Sequence, residues 1–365
     1  MAPRLPVLAS RADATRACTF CPKLCRPACP VATVTANDAL SAWGIMGALH
    51  SVASGAKSAD AETLASSYAC TGCEHCQSHC ELSVDVPGAV LDARSAAYTS
   101  GLAPETVRTF VAELPAREER VRALAERIGA VEAAPTGVVL FAGCTIVATA
   151  PSHVAIAQRA IERLIGPISL VADLCCGGPW LDAGDVDGFR ARAEALSDRV
   201  RRASAVIALD PGCVHAMRVR APQFAVNGRS MEWLEQFFLQ RIDRLPQSAL
   251  ATMGRFAVHD SCRAGRGLRS YDAPRAVIER LTGVCPIELA MNRERSQCSG
   301  GGGLLPVTSP STADAITDEL ASLVRDSGAD HVLVGCPTTK HRLTRVGISA
   351  FTLSDLFCEL GRGEA

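Results

Sequence analysis

The chain has 365 residues, of which 48% are hydrophobic, with 37 basic side chains against 38 acidic ones. That length allows two or three domains with cores of their own. The balanced charge gives no field to draw a nucleic acid or an anionic membrane surface, so neither is an expected partner. Seventeen cysteines are the informative count, and an odd number leaves one thiol over in any complete disulfide scheme. Residues 1–16 read as no secretory leader, because their short apolar stretch is broken by Pro3 and Pro6. No run is apolar enough for a membrane span. The expected setting is therefore the reducing cytoplasm, where clustered thiols read first as metal ligands.

Eight cysteines lie between Cys18 and Cys80, and the other nine are spread over the rest of the chain. Residues 1–100 have few β-rich runs and are read as short helices and loops, with a packed helix in the small-residue run 36–56. Residues 104–128 carry apolar side chains at helical spacing, which predicts a connector helix over 101–136 that Pro115 breaks or kinks. From Gly137 the texture changes. Strand-length apolar runs at 138–142, 168–172, 205–209, 255–258, 286–290 and 331–334 alternate with amphipathic stretches such as 151–165, 189–203, 272–281 and 311–327. Such βαβα alternation implies parallel sheet covered by helices.

This second part is also an internal repeat, over 137–245 and 254–361. Cys144 pairs with Cys262, Cys176 with Cys298, Asp210 with Cys336, and Trp233 with Asp355, at offsets of 118, 122, 126 and 122.

The N-terminal cysteines form two quartets. The first is Cys18-x2-Cys21-x3-Cys25-x3-Cys29-Pro30 and the second is Cys70-x2-Cys73-x2-Cys76-x3-Cys80. Each iron of a cubane cluster takes one soft thiolate, and tight loops let one turn reach three corners. The fourth cysteine commonly reaches the other cluster. On that logic Cys18, Cys21, Cys25 and Cys80 hold one 4Fe–4S cluster, and Cys70, Cys73, Cys76 and Cys29 hold the other. Structural zinc ligands come instead as separated pairs closing a tetrahedron. The pattern departs from the usual one at two points, the three residues between Cys21 and Cys25, and Glu81 in place of proline. His75 and His79 inside the second quartet suit either a hydrogen bond to cluster sulfur or an ordinary exposed loop.

In open α/β folds the strand–helix loops gather at the carboxyl ends of the strands, where cofactors bind. The repeats place cysteines there. The first fills five overlaid positions with Cys144, Cys175, Cys176, Asp210 and Cys213; the second has Cys262, Gln297, Cys298, Cys336 and Thr339. The first keeps four thiols, enough for an iron–sulfur centre with Asp210 as an oxygen ligand. The second keeps three, which suit an empty site, a reduced centre or a substrate-binding one. The glycine run after Gln297 lacks the ending of a phosphate loop. Cys285 and Cys358 fall outside the pattern and read as buried core thiols. His259, Asp260 and His341 suit either proton handling or a structural role.

Two ferredoxin-like quartets followed by two such repeats resemble the cysteine-rich iron–sulfur proteins typified by the D subunit of heterodisulfide reductase. That group includes the iron–sulfur subunits of glycolate oxidase and of anaerobic glycerol-3-phosphate dehydrogenase. The likeness spans residues 15–360 and is sharpest in the quartets, at 174–179 (LCCGGP) and at 259–267 (HDSCRAGRG). It implies an α+β multidomain chain, with an α-helical ferredoxin domain holding two 4Fe–4S clusters over 1–100 and two tandem Rossmann-like α/β repeats behind it. It further implies an electron-transfer subunit of an oxidoreductase, fed by a flavoprotein dehydrogenase or another redox subunit. The acceptor would be a quinone, a disulfide or another carrier, and membrane association would be peripheral, through a partner. Two other functions fit the same residues, a reductase with its own site in the repeats and a non-catalytic sensor or assembly protein.

Overall fold

The computed structural model describes residues 10–129 and 134–363, so residues 1–9 of the leader reading and 130–133 of the connector lie outside it. The chain divides into two units. One comprises the chain through Glu113 with Pro179–Phe189 and Glu294–Leu320; the other comprises Leu114–Gly178, Arg190–Arg293 and the chain from Ala321.

The second unit holds two parallel four-stranded sheets. Strands β1 (Gly137–Phe141), β2 (Ser169–Val171), β3 (Ala203–Ala208) and β4 (Glu232–Trp233) are ordered β2-β1-β3-β4. Strands β5 (Phe256–His259), β6 (Ile287–Glu288), β7 (His331–Val334) and β8 (Ala350–Phe351) are ordered β6-β5-β7-β8. All six pairings are parallel. The carboxyl-terminal halves of the inner strands are buried, as a parallel sheet covered on both faces requires. Helices Pro151–Ile165 and Asp272–Thr282 follow the first strand of each sheet and turn Val154, Ile161, Val277 and Ile278 into the core. The identical strand order makes the duplication visible in three dimensions.

The ladders correct one repeat pairing. Glu232 lies beside Ile207, and Phe351 lies beside Leu333. With Asp210 overlaid on Cys336, Trp233 therefore falls on Thr352 and Leu234 on Leu353, not Trp233 on Asp355. Leu234 and Leu353 then each open a helix, Leu234–Leu239 and Leu353–Gly363. β4 and β8 are two residues long, too short to carry an alternation that could be read from sequence.

Among its described residues the first unit contains helices and loops only. Ser41 Oγ accepts from the Gly44 amide at 3.1 Å and caps helix Ala42–Ala53, which buries Ile45, Met46 and Leu49. That helix packs against Ala12–Thr19 and Val86–Thr99. Pro115 does not break the connector: Glu105–Arg127 is one helix with Pro115 inside it. A mid-helix proline removes a single backbone bond, and buried Val107, Val111, Leu114 and Val121 anchor turns on both sides of it.

Candidate iron–sulfur sites

The eight N-terminal thiols sort into two groups of four. Burial pushes Cys18 up to about 12, and Cys25, Cys80 and Cys21 add to the shift. Cys25 is raised by burial too, with Cys21 and Cys80 as thiol neighbours. Cys29, at the N-cap of helix Pro30–Thr35, is raised to about 12 by burial and then by Cys73 and Cys70. Cys76, half-buried at its surface, is raised well above its ordinary value by desolvation first, and then by Cys70, Cys73, Cys25 and Cys29. Cys18 and Cys25 thus neighbour Cys21 and Cys80, and Cys29 and Cys76 neighbour Cys70 and Cys73, with Cys76 also beside Cys25. Buried thiols this close resist ionising unless positive charge compensates them. A donor set of four soft sulfurs fits the iron core of a cubane, which supplies that charge.

Local backbone explains the departures in spacing. The extra residue between Cys21 and Cys25 is absorbed by a left-handed turn at Lys23, φ 64°, closed by the Arg26 amide donating to the Lys23 carbonyl at 2.9 Å. In the second loop the Gly72 amide donates to Cys70 Sγ at 3.3 Å, the kind of bond that stabilises a thiolate. His75 is buried rather than exposed, on the short helix His75–Ser78, with its ring edge-on to His79 at 4.9 Å.

Two features around the second loop were not legible in the sequence. Arg94 is 1% exposed and its guanidinium donates to the carbonyls of Ser67, Cys70 and Asp182, at 2.6–3.2 Å. Tyr68 lies under that guanidinium and its hydroxyl donates to the Ala183 carbonyl at 2.9 Å. The glycine run after Gln297 meets the same loop. A Cβ on Gly302 would sit 2.5 Å from the Thr71 carbonyl oxygen, and one on Gly303, φ +61°, 2.2 Å from that of Cys70. The glycines allow close backbone approach to the cysteine loop.

In the first repeat a run of thiol contacts links Cys144, Cys175, Cys176 and Cys213. Cys144 Sγ lies 3.6 Å from Cys175 Sγ, and Cys176 touches Cys175 and Cys213. Cys144 opens the helix after β1, and Cys213 sits in the helix after β3. Gly143 has φ +78°, which favours glycine, and a Cβ there would press on Cys213 Sγ at 3.3 Å. The Gly177 amide donates to Cys175 Sγ at 3.4 Å. Contact with Cys176 holds Cys213 down against burial, yet it still stands at about 12. Three buried thiols and the half-buried Cys144, with a glycine-lined approach, fit an iron–sulfur centre. Asp210 also has a capping role. Its Oδ1 accepts from the Gly212 amide at 2.7 Å and caps helix Pro211–His215, while burial raises its carboxyl.

The second repeat differs. Cys336 N-caps helix Pro337–Arg345, and burial, then Asp210, raises it to about 11, while Thr339 hydrogen-bonds to its sulfur and lowers it. Cys262 is a neighbour of Cys336. Cys298 is buried and accepts from the Gly300 amide at 3.4 Å, with Gly300 at φ +79°. That copies Cys175 with Gly177, at φ +83°. Cys298 is therefore the counterpart of Cys175, and Ser299, not Gln297, stands where the first repeat has its second thiol. Gln297 bonds instead to Glu319 at 2.9 Å.

Cys285 is exposed and bonded to Glu279 at 3.0 Å, and Cys358 is half-buried, so neither is a core thiol. Asp260 has a structural role: it is buried, paired with Arg275 through both oxygens at 2.7 and 2.9 Å, and accepts from the Arg293 amide. His259 is buried in β5, and His341 is exposed.

A model of the cysteine-rich domain, CCG, matches residues 138–218 and 256–343. A probable membrane-anchored ferredoxin of Chromohalobacter salexigens is 30% identical over 198 residues, 49% of this chain and 29% of that protein. The D subunit of dihydromethanophenazine:CoB–CoM heterodisulfide reductase from Methanosarcina barkeri is 24% identical over 218 residues, 57% of this chain and 53% of that one. The chain thus spans about half or less of these relatives. A crystal structure of a hypothetical protein from Helicobacter pylori shares the fold, with a TM-score of 0.53 over 78% of this chain and 60% of that one, at 8% identity.

Proposed function

We propose that this chain, whose residues 138–218 and 256–343 match the cysteine-rich domain CCG, is an electron-relay subunit of an iron–sulfur oxidoreductase complex. In this reading two 4Fe–4S clusters are held by Cys18, Cys21, Cys25 and Cys80 and by Cys29, Cys70, Cys73 and Cys76, in an α-helical ferredoxin domain. A third iron–sulfur centre is held by Cys144, Cys175, Cys176 and Cys213 in the first of two Rossmann-like repeats, with Asp210 beside it. The clusters supply one-electron transfer, and the protein supplies sulfur ligands, spacing and burial. The second repeat lacks a full set of thiols, with Ser299 and Thr339 in two of the positions. It serves as the face where the relay meets its acceptor, a quinone, a disulfide or another carrier.

The observation that carries this reading is the sorting of the eight N-terminal thiols into two groups of four. A second observation supports a protein donor such as a flavoprotein dehydrogenase. Phe20, Leu24 and Leu82 are 77%, 51% and 67% exposed, and all three flank cysteines of the first group. Exposed apolar side chains around a redox centre suit a docked partner. Among the described residues no helix is long and apolar enough to cross a membrane.

The test is anaerobic purification with iron analysis and paramagnetic resonance on one sample. About eight irons are expected from two cubanes, and about four more with a loaded first repeat. Cys18→Ser with Cys70→Ser should abolish the low-potential signals of the reduced protein. Zinc in place of iron, or signals that persist in the double variant, would overturn the reading.

A further inference from the structure

Within the second unit a pocket of about 180 Å³ lies beside the cysteine positions of both repeats. Ile146 follows Cys144 by two residues, Leu209 precedes Asp210, and Gly335 precedes Cys336, and all three line it. The volume exceeds the roughly 30 Å³ share of one liquid water several times over. Its walls are mainly apolar, with Leu234 and Leu353 opening the two equivalent helices against it.

One polar group in the wall is unsatisfied. Glu235 is 3% exposed, and among the described residues its Oε2 has no hydrogen-bond partner. Burial raises its carboxyl well above the ordinary value, which favours the protonated form that can donate. A buried donor without a partner is destabilising, and a ligand that accepts from it relieves that cost. Two of the three other titratable groups in the wall are paired, and the third, His341, is exposed. Lys340 Nζ donates to Asp355 Oδ1 at 2.6 Å, and His153 Nε2 lies 3.3 Å from the same oxygen. The pocket therefore offers an apolar slot, one buried donor and no buried unmatched charge among these groups, which selects against ions.

We infer that this pocket binds a small uncharged ring compound through a carbonyl oxygen that accepts a hydrogen bond from the Glu235 carboxyl. A quinone head group is the redox-competent member of that class, and choosing it over other uncharged carbonyl rings rests on the electron-relay reading. Glu235 is a binding residue in this proposal.

The probe is duroquinone, whose four methyl groups leave no ring position for a cysteine to attack. Anaerobic equilibrium dialysis against the full-length, cluster-loaded protein should give saturable binding at one site. Glu235→Ala should weaken it by about tenfold, the worth of one buried hydrogen bond. Glu235→Gln, whose amide also donates, should stay within about threefold of wild type. Ala150→Phe adds bulk at a second lining residue and leaves the Glu235 carboxyl in place, and should abolish binding while circular dichroism and iron content hold. Durene, the same ring without carbonyls, should bind much more weakly than duroquinone. Durene binding as tightly, no saturable binding of duroquinone, or an unaffected Glu235→Ala variant would each overturn the inference. Oxidation of the reduced protein by ferricyanide needs no pocket. Its failure strikes the relay reading alone, and its success without duroquinone binding strikes the pocket alone.

Discussion

Arg94 Nη2 donates to the carbonyl oxygen of Cys70 at 2.6 Å, tying a fully buried cation to the first cysteine of the second loop. No carboxylate neutralises Arg94 among the hydrogen bonds described for it; its partners are carbonyls of Ser67, Cys70 and Asp182. A positive charge held there favours the anionic form of anything the four thiols bind. Arg94→Met keeps the bulk, removes the charge and strands these carbonyls. We expect a stability loss of about 3–5 kcal/mol and a lower reduction potential for the second cluster. Arg94→Lys should keep part of the potential and lose the forked geometry. Redox titration followed by paramagnetic resonance checks this; an unshifted potential in both variants would refute the electrostatic role.

The glycines at 302 and 303 make a second, steric claim on the same loop. A Cβ on Gly303 would collide with the Cys70 carbonyl, and its φ of +61° disfavours any side chain. Gly303→Ala should therefore displace the loop and reduce the iron bound by the second group, leaving the first loaded. Gly47 offers the control, since a Cβ there meets nothing within 4 Å. Equal iron content in Gly303→Ala and wild type would show that the close approach is dispensable.

The quartets were legible because ligand spacing is a local property, and the parallel sheets because βαβα texture is a periodic one. β4 and β8 were not, being too short for any period. Arg94 and Glu235 were invisible for a different reason. Each sits in a helix, Val86–Thr99 or Leu234–Leu239, where a charged residue ordinarily reads as solvent-facing, and only tertiary packing buries it. Cys298 was found, but its partner position was misread. Left-handed Gly300, not thiol count, sets the register and puts Ser299 in the vacant place. Cys285 was misread because burial statistics for free cysteine do not see that it lies in a loop beside Glu279.

Asp210 combines two roles that substitutions can separate. As N-cap of Pro211–His215 it accepts from the Gly212 amide at 2.7 Å, and Asp210→Ala should cost about 1 kcal/mol of stability. Asp210→Asn keeps the acceptor and should unfold at the wild-type urea concentration. If the four thiols alone hold the centre of the first repeat, both variants also keep its iron. Loss of iron from Asp210→Asn at unchanged stability would make the carboxylate a ligand instead.

Glu235 sets a pH dependence whose sign is fixed by its burial. Its folded value lies well above the ordinary 4.5, with burial the main cause and Asp210 adding to it. Above that ordinary value the unfolded chain releases the proton while the native protein keeps it. The native state then binds more protons than the unfolded one, so stability falls as pH rises, until the folded value is reached. Glu235→Gln has no proton to retain. Its stability relative to wild type should climb with pH from about 5 upward, by at most about 1.4 kcal/mol per pH unit, the slope for one proton. His153 contributes at the acid end with the opposite sign. Burial lowers it from 6.5, so acidification below about 6.5 protonates the unfolded chain first and destabilises the fold in both proteins equally. The difference between Glu235→Gln and wild type therefore isolates the carboxyl. Urea midpoints of the two, taken anaerobically from pH 5 to 8, measure it, and a gap that stays constant with pH would mean that Glu235 is ionised in the native protein.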